Sequence, residues 1–158
     1  MKTREERLAW ALETCRRMQW RMTPVRRAIL SFLADRRTPG TLEVIAGAEG
    51  VHNCCDATTV YRTLMMFKEA ELVRLVGTAR KNSCFLLNLP GESGSFLICR
   101  SCGEIVELKL PPDLAERISL ISIGHGFVPT RQDYEVHGLC QKCQTRLQNK
   151  VIPAKLSS

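Results

Sequence analysis

The sequence predicts an α+β fold in two parts, in which several short helices close on a β-ribbon and a smaller mixed unit follows. Three observations predict it. Apolar residues recur at helical spacing in separate stretches through about residue 70. Two short apolar runs then flank a basic, polar turn. Pro90-Gly91-Glu92-Ser93-Gly94-Ser95 breaks the composition before a second set of strands and one helix. In a chain of 158 residues, two small domains bury too little apolar surface to be comfortable without a metal or a partner subunit.

From Arg4 to Met18, Leu8, Ala11, Leu12, Cys15 and Met18 form an apolar stripe with charges opposite, which predicts helix one. Thr23 supplies an N-cap and Pro24 a first-turn proline, and Val25, Ile29, Phe32 and Leu33 give helix two its buried face. Arg36, Arg37, Pro39 and Gly40 end it. Thr41 caps a short third helix carrying Leu42, Ile45 and Ala46, interrupted near Gly47 and Gly50. Asp56 caps the next helix, Ala57 to Ala70, with Val60, Leu64 and Phe67 on one side and Thr58, Thr59, Tyr61 and Arg62 largely opposite. Leu72–Val76 and Cys84–Leu89 read as two strands joined by Gly77-Thr78-Ala79-Arg80-Lys81-Asn82. Such helices followed by a two-stranded ribbon make a winged helix-turn-helix, assigned to residues 1–89.

Residues 90–95 are the expected hinge, and residues 96–150 form the second domain, a small α/β unit. It should hold strands at Phe96–Cys99 and Glu104–Leu110, a helix opened by Pro111-Pro112-Asp113 with Leu114, Ile118 and Ile121 inward, and a strand at Tyr134–His137. Residues 151–158 are left as a tail.

The second domain carries Cys99-Arg-Ser-Cys102 and Cys140-Gln-Lys-Cys143, two C-x-x-C knuckles. This spacing lets two thiolates meet one tetrahedral metal while turn amides support the sulfurs. Four cysteines with no open position match a closed, structural zinc, one per chain, and the strand-helix-strand insert between the pairs can return its ends together. The alternative is two separate redox dithiols. The chain lacks an H-x-E motif partnered with these cysteines, which argues against a nucleobase deaminase, and no enzymatic activity or small-molecule substrate is expected.

The formal charge of +7 makes polyanions the leading partner class, and four thiolates around one Zn²⁺ lower it by only two. No stretch approaches the roughly 20 consecutive apolar residues of a membrane span. Met1 to Glu6 leads into a charged amphipathic helix rather than a signal peptide, so a cytoplasmic protein without a membrane partner is expected. In a reducing cytosol, close cysteine pairs are read first as metal ligands or redox centres.

The stretch Ala57 to Leu64 gives its helix a small polar first turn able to enter a major groove. There Arg62 can donate two hydrogen bonds to guanine, and Tyr61 can make apolar or phosphate contact. Arg21, Arg26 and Arg27 cluster at the start of helix two, and Arg80 and Lys81 sit at the wing tip, all placed for phosphates or a minor groove. An ordinary solvated helix face is the competing reading of the same residues.

Together, Thr59-Val-Tyr-Arg-Thr-Leu64, Glu69-Ala-Glu-Leu-Val73, Phe96-Leu-Ile-Cys-Arg-Ser-Cys-Gly103 and His137-Gly-Leu-Cys-Gln-Lys-Cys143 resemble the ferric uptake regulator family over Leu8 to Gln148. The resemblance implies a metal-regulated repressor that binds AT-rich inverted repeats in double-stranded DNA as a homodimer. It places Tyr61 and Arg62 on the recognition helix and Arg21 where the family has a minor-groove lysine. It also makes residues 96–150 the zinc-bound dimerisation domain.

The chain departs from the family pattern just before the first knuckle, where Glu92-Ser-Gly-Ser-Phe96 replaces the histidine-rich segment that holds the sensed metal. An iron sensor is disfavoured. The nearest resemblance within the family is to the zinc uptake branch, through Cys84 and His137-Gly-Leu-Cys140; in that alignment Glu92 replaces a histidine, Glu107 matches a carboxylate ligand and Arg74 replaces the remaining histidine. Cys84, Glu92 and Glu107, with His125 or water, are the candidate ligands of a second, regulatory zinc, a weaker set than a cysteine with two imidazoles. The opposing reading makes Cys84 a buried strand thiol and the carboxylates surface groups. Two alternatives to metal control stay open, a constitutive or redox-controlled repressor using Cys54, Cys55 or Cys84, and a zinc-released thiol chaperone or oxidoreductase.

Overall fold

The computed structural model describes residues 2–36, 38–77, 83–92 and 94–151. Arg37, the turn at 78–82 with Arg80 and Lys81, and the tail from residue 152 lie outside the described residues. The fold is α+β, and the chain divides into two compact units, Met1–Glu92 and Ser93–Ser158.

In the first unit, α1 (Arg4–Arg17) opens on a capping box in which Thr3 and Glu6 satisfy each other's backbone amides. The helix α2 (Pro24–Asp35) has the expected Thr23 cap and first-turn proline. Thr41 caps α3 (Leu42–Ala46), and a separate turn of helix, α4 (Glu49–His52), precedes α5 (Ala57–Glu69), capped by Asp56. The sheet corrects the expected two-stranded ribbon. Strands β2 (Val73–Val76) and β3 (Cys84–Leu87) are joined by β1 (Gly40–Thr41), which pairs through Gly40 with Phe85 and through Thr41 with Cys84, in the order β1-β3-β2. All four β3 residues are buried, as a central strand covered on both faces requires. The core beneath gathers Ile29, Leu30 and Leu33 of α2 with Val60, Leu64 and Phe67 of α5.

In the second unit, β4 (Ser95–Cys99) lies between antiparallel β5 (Ile105–Glu107) and parallel β6 (Tyr134–Gly138). Strand β5 is shorter than the expected Glu104–Leu110. The helix α6 (Pro112–Gly124) makes the crossover that a parallel pair needs. Gln132 ties the return to this helix, donating to the Ser119 hydroxyl at 2.6 Å and the Ala115 carbonyl at 3.1 Å, while Tyr134 donates to Gln132 at 2.7 Å. The inward placement holds in part and is corrected at Ile121: Leu114 and Ile118 are half-buried, no residue of α6 is fully buried, and Ile121 is 59% exposed. The stripe is amphipathic, as its spacing predicts, and its exposure grows along the helix, from half-buried Leu114 and Ile118 to exposed Ile121. A helix not foreseen, α7 (Gln141–Val151), begins within the second knuckle and carries Cys143 in its first turn.

Candidate metal centre and nucleic-acid interface

The parallel register explains how cysteines some forty residues apart converge. Cys99, last residue of β4, is paired with Gly138, last of β6, so both knuckles leave the same end of the sheet. The Arg100 amide donates to the Gly138 carbonyl at 2.8 Å and fixes that juxtaposition. The first knuckle turns through Gly103, whose φ of 78° favours glycine and whose amide donates to the Cys99 carbonyl at 2.9 Å. The second runs into α7, with the Cys143 amide donating to the Cys140 carbonyl at 3.0 Å.

The thiols of Cys99, Cys102, Cys140 and Cys143 all lie within 4.8 Å of one another, and the Cys102 and Cys140 sulfurs are 3.6 Å apart. A tetrahedron of Zn–S bonds of about 2.3 Å has edges of about 3.8 Å. Among the described residues this is the one group of three or more ligand side chains close enough to share a metal ion. The backbone favours thiolate. The Cys140 amide donates to the Cys99 sulfur at 3.3 Å, and this bond, with amides of Cys102 and Ser101, brings the Cys99 thiol down to about 6. The Cys102 and Cys140 thiols move up: the Glu104 amide draws Cys102 down and the Cys143 amide draws Cys140 down, but burial and neighbouring sulfurs, with Glu104 beside Cys140, outweigh them. Four thiols competing for one space want a cation at its centre. The four-cysteine cluster fits a structural zinc site, in which the metal supplies a closed tetrahedral cross-link.

The expected second metal set draws on both units. Cys84 and Glu92 belong to the first unit, Glu107 and His125 to the second. Cys84 is 2% exposed, and burial, with Glu43 adding, pushes its thiol up. Glu107 is exposed, and His125 is the exposed C-cap residue of α6.

In the first unit, Val60, Leu64 and Phe67 anchor α5, leaving Thr58, Thr59, Tyr61 and Arg62 exposed. Asp56 fixes the first turn by accepting from the Thr59 amide at 2.7 Å, and Thr63 donates to the Thr59 carbonyl at 2.8 Å. Arg21 and Arg27 are exposed. Arg26 is not disposed like them: it is half-buried, donates to the Arg21 carbonyl at 2.7 Å and lies over the Trp20 ring. Trp20 is the residue that sequence reasoning missed. An aromatic beside a basic cluster was the available signal, since arginine favours aromatic faces.

The Ferric uptake regulator family matches residues 17–137. The "Peroxide operon regulator" of Bacillus subtilis is 32% identical over 137 residues, covering 86% of this chain and 92% of that protein. The "Peroxide-responsive repressor PerR" of Staphylococcus aureus is 28% identical over 143 residues, covering 90% of this chain and 95% of its own. The Helicobacter pylori ferric uptake regulator superposes with a TM-score of 0.71 at 19% identity, covering 90% of this chain and 95% of that one. That last likeness speaks for the fold alone.

Proposed function

The chain belongs to the ferric uptake regulator family, and from that premise we propose that it is a zinc-stapled, metal-responsive transcriptional repressor that binds DNA as a homodimer. It is not an enzyme. The observation that carries the reading is the division of α5, whose apolar side is locked into the core while Thr58, Thr59, Tyr61 and Arg62 stand outward behind a rigid cap. A helix so held can enter a major groove without losing its own order. Arg62 reads bases, Tyr61 and the two threonines contact bases and backbone, and Arg21, Arg80 and Lys81 contact phosphates or the minor groove.

The operator is an AT-rich inverted repeat, matched by the symmetry of a dimer. Support for the dimer comes from the second unit, where Ile121, Ile123, Phe127 and Val128 leave a large apolar surface open, Phe127 being 72% exposed. Among the described residues no helix is long and apolar enough to cross a membrane.

Metal response, in this reading, needs a second and weaker zinc with Cys84 among its ligands. The burial of Cys84 favours a different reading, a repressor whose affinity for DNA does not follow zinc once the staple is filled. Titrating zinc into the one-zinc dimer on its operator separates the two, because a ligand tightens DNA binding only through its differential affinity for the DNA-competent arrangement. A rise of about tenfold, roughly 1.4 kcal/mol, that Cys84→Ala abolishes supports the second zinc; a flat response supports its absence. DNA reading itself is tested by Arg62→Ala. It should cost about 1–3 kcal/mol on the selected operator and much less on random DNA, and equal losses on both would remove Arg62 from base recognition.

A further inference from the structure

The basic cluster at the start of α2 contains one arginine whose charge is turned inward. Arg26 donates from Nη1 to the Arg21 carbonyl at 2.7 Å and from Nη2 to Met66 Sδ of α5 at 3.3 Å. Its guanidinium carbon lies 5.6 Å from the centre of the Trp20 ring, and Trp20 stacks on Phe67 of α5 with centroids 6.0 Å apart and planes at 25°. One side chain therefore joins the corner between α1 and α2 to the helix proposed to read DNA.

The corner needs such a tie. Gln19 sits in the left-handed region at φ 56°, and the Trp20 amide closes the end of α1 by donating to the Cys15 carbonyl at 3.0 Å. That anchors the corner at its start. From there to Thr23 the chain leaves α1, and Arg21 projects outward on this segment with its backbone carbonyl held by Arg26. Holding the corner in its bound shape removes an ordering cost that a loose Arg21 would meet on binding.

We propose that Arg26 is a positioning residue for DNA recognition: its planar fork and stacked face fix the Arg21 corner against α5, so that Arg21 and the recognition helix meet the duplex as one rigid surface. This rests on the reading of Arg21 as a DNA contact. Lysine would supply the charge but neither two directed N–H groups in one plane nor a flat face for Trp20.

The test uses the full zinc-loaded chain and the duplex it selects from a randomised pool, with affinities measured across salt concentrations. Arg21→Ala should weaken binding by about tenfold. Arg26→Lys, with unchanged net charge, should weaken it by a similar factor and still lower the salt slope by about 0.9, as if one phosphate contact were lost. In the Arg21→Ala background, Arg26→Lys should cost less than about twofold, since both act through one contact. Near-native affinity and slope for Arg26→Lys would make Arg26 a plain phosphate contact and overturn the proposal, as would full additivity of the two changes. A loss of folded fraction without a change of slope would overturn it too, leaving Arg26 a purely structural role. If Arg21→Ala binds like the native chain, the assignment of Arg21 to DNA fails, and this inference fails with it.

Discussion

Asp56 serves the fold and the site through one carboxylate. It accepts the Thr59 amide at 2.7 Å at the entry to α5, and this bond, followed by those from the Thr59 hydroxyl and the Thr58 amide and the nearby Arg62 charge, holds its carboxyl below the usual value. A carboxyl depressed in the folded state contributes stability that is present in full above its unfolded value, about 3.9, and lost as pH falls through the lower folded value. Asp56→Asn keeps an acceptor for the Thr59 amide, so it should melt close to the native chain at neutral pH and lose less stability than the native chain below about pH 4. Thermal melts across that range check it; identical acid limbs would show that the cap carries no such linkage. Arg26 marks where residue types stop being informative. A basic residue beside other basic residues reads as a phosphate contact until Trp20 and Met66 are seen around it.

Two helices of the first unit end alike, and neither uses glycine. Gln19 after α1 and Glu71 after α5 both adopt positive φ, at 56° and 55°, and the Leu72 amide donates to the Phe67 carbonyl at 2.9 Å to close the second end. A side chain in this region costs roughly 1–2 kcal/mol that glycine avoids, offset partly by the greater freedom of glycine when unfolded. Glu71→Gly should therefore stabilise the first unit by up to about 1 kcal/mol, read as a higher denaturant midpoint with unchanged slope. A lower midpoint would mean that the Glu71 side chain contributes more than the strain it causes. The principal helices of this unit were legible because their starts are written in caps, Thr23 with Pro24 and Asp56, and their faces in spacing. Strand β1 was not, since Gly40 and Thr41 have no alternation to show and pair only because β3 passes beside them. Ile121 shows the opposite failure: the period of α6 was right, but spacing cannot say whether the partner of an apolar stripe belongs to the same chain.

At the scale of the whole molecule, the second unit has a three-stranded sheet and a helix without a buried residue, which leaves the zinc as the main cross-link of a small fold. Structural zinc contributes on the order of 10 kcal/mol to the folding of such units. Cys143 is buried, and Cys143→Ser should release the metal, abolish the dimer and leave the helices of the first unit, which carry their own core, largely intact. Zinc analysis with sedimentation and circular dichroism checks this, and a zinc-free dimer with an unchanged melting temperature would contradict it. The knuckles were legible as a metal centre from spacing alone, whereas their convergence depends on the register of Cys99 with Gly138, which no spacing encodes. We propose that this chain reads DNA as a symmetric, zinc-stapled dimer. The most direct test is to incubate the full zinc-loaded chain with a pool of randomised duplexes and sequence what it retains. Enrichment of an AT-rich inverted repeat, bound two chains to a site and lost on Arg62→Ala, is the expected result; retention of sequences no different from the input pool would contradict it.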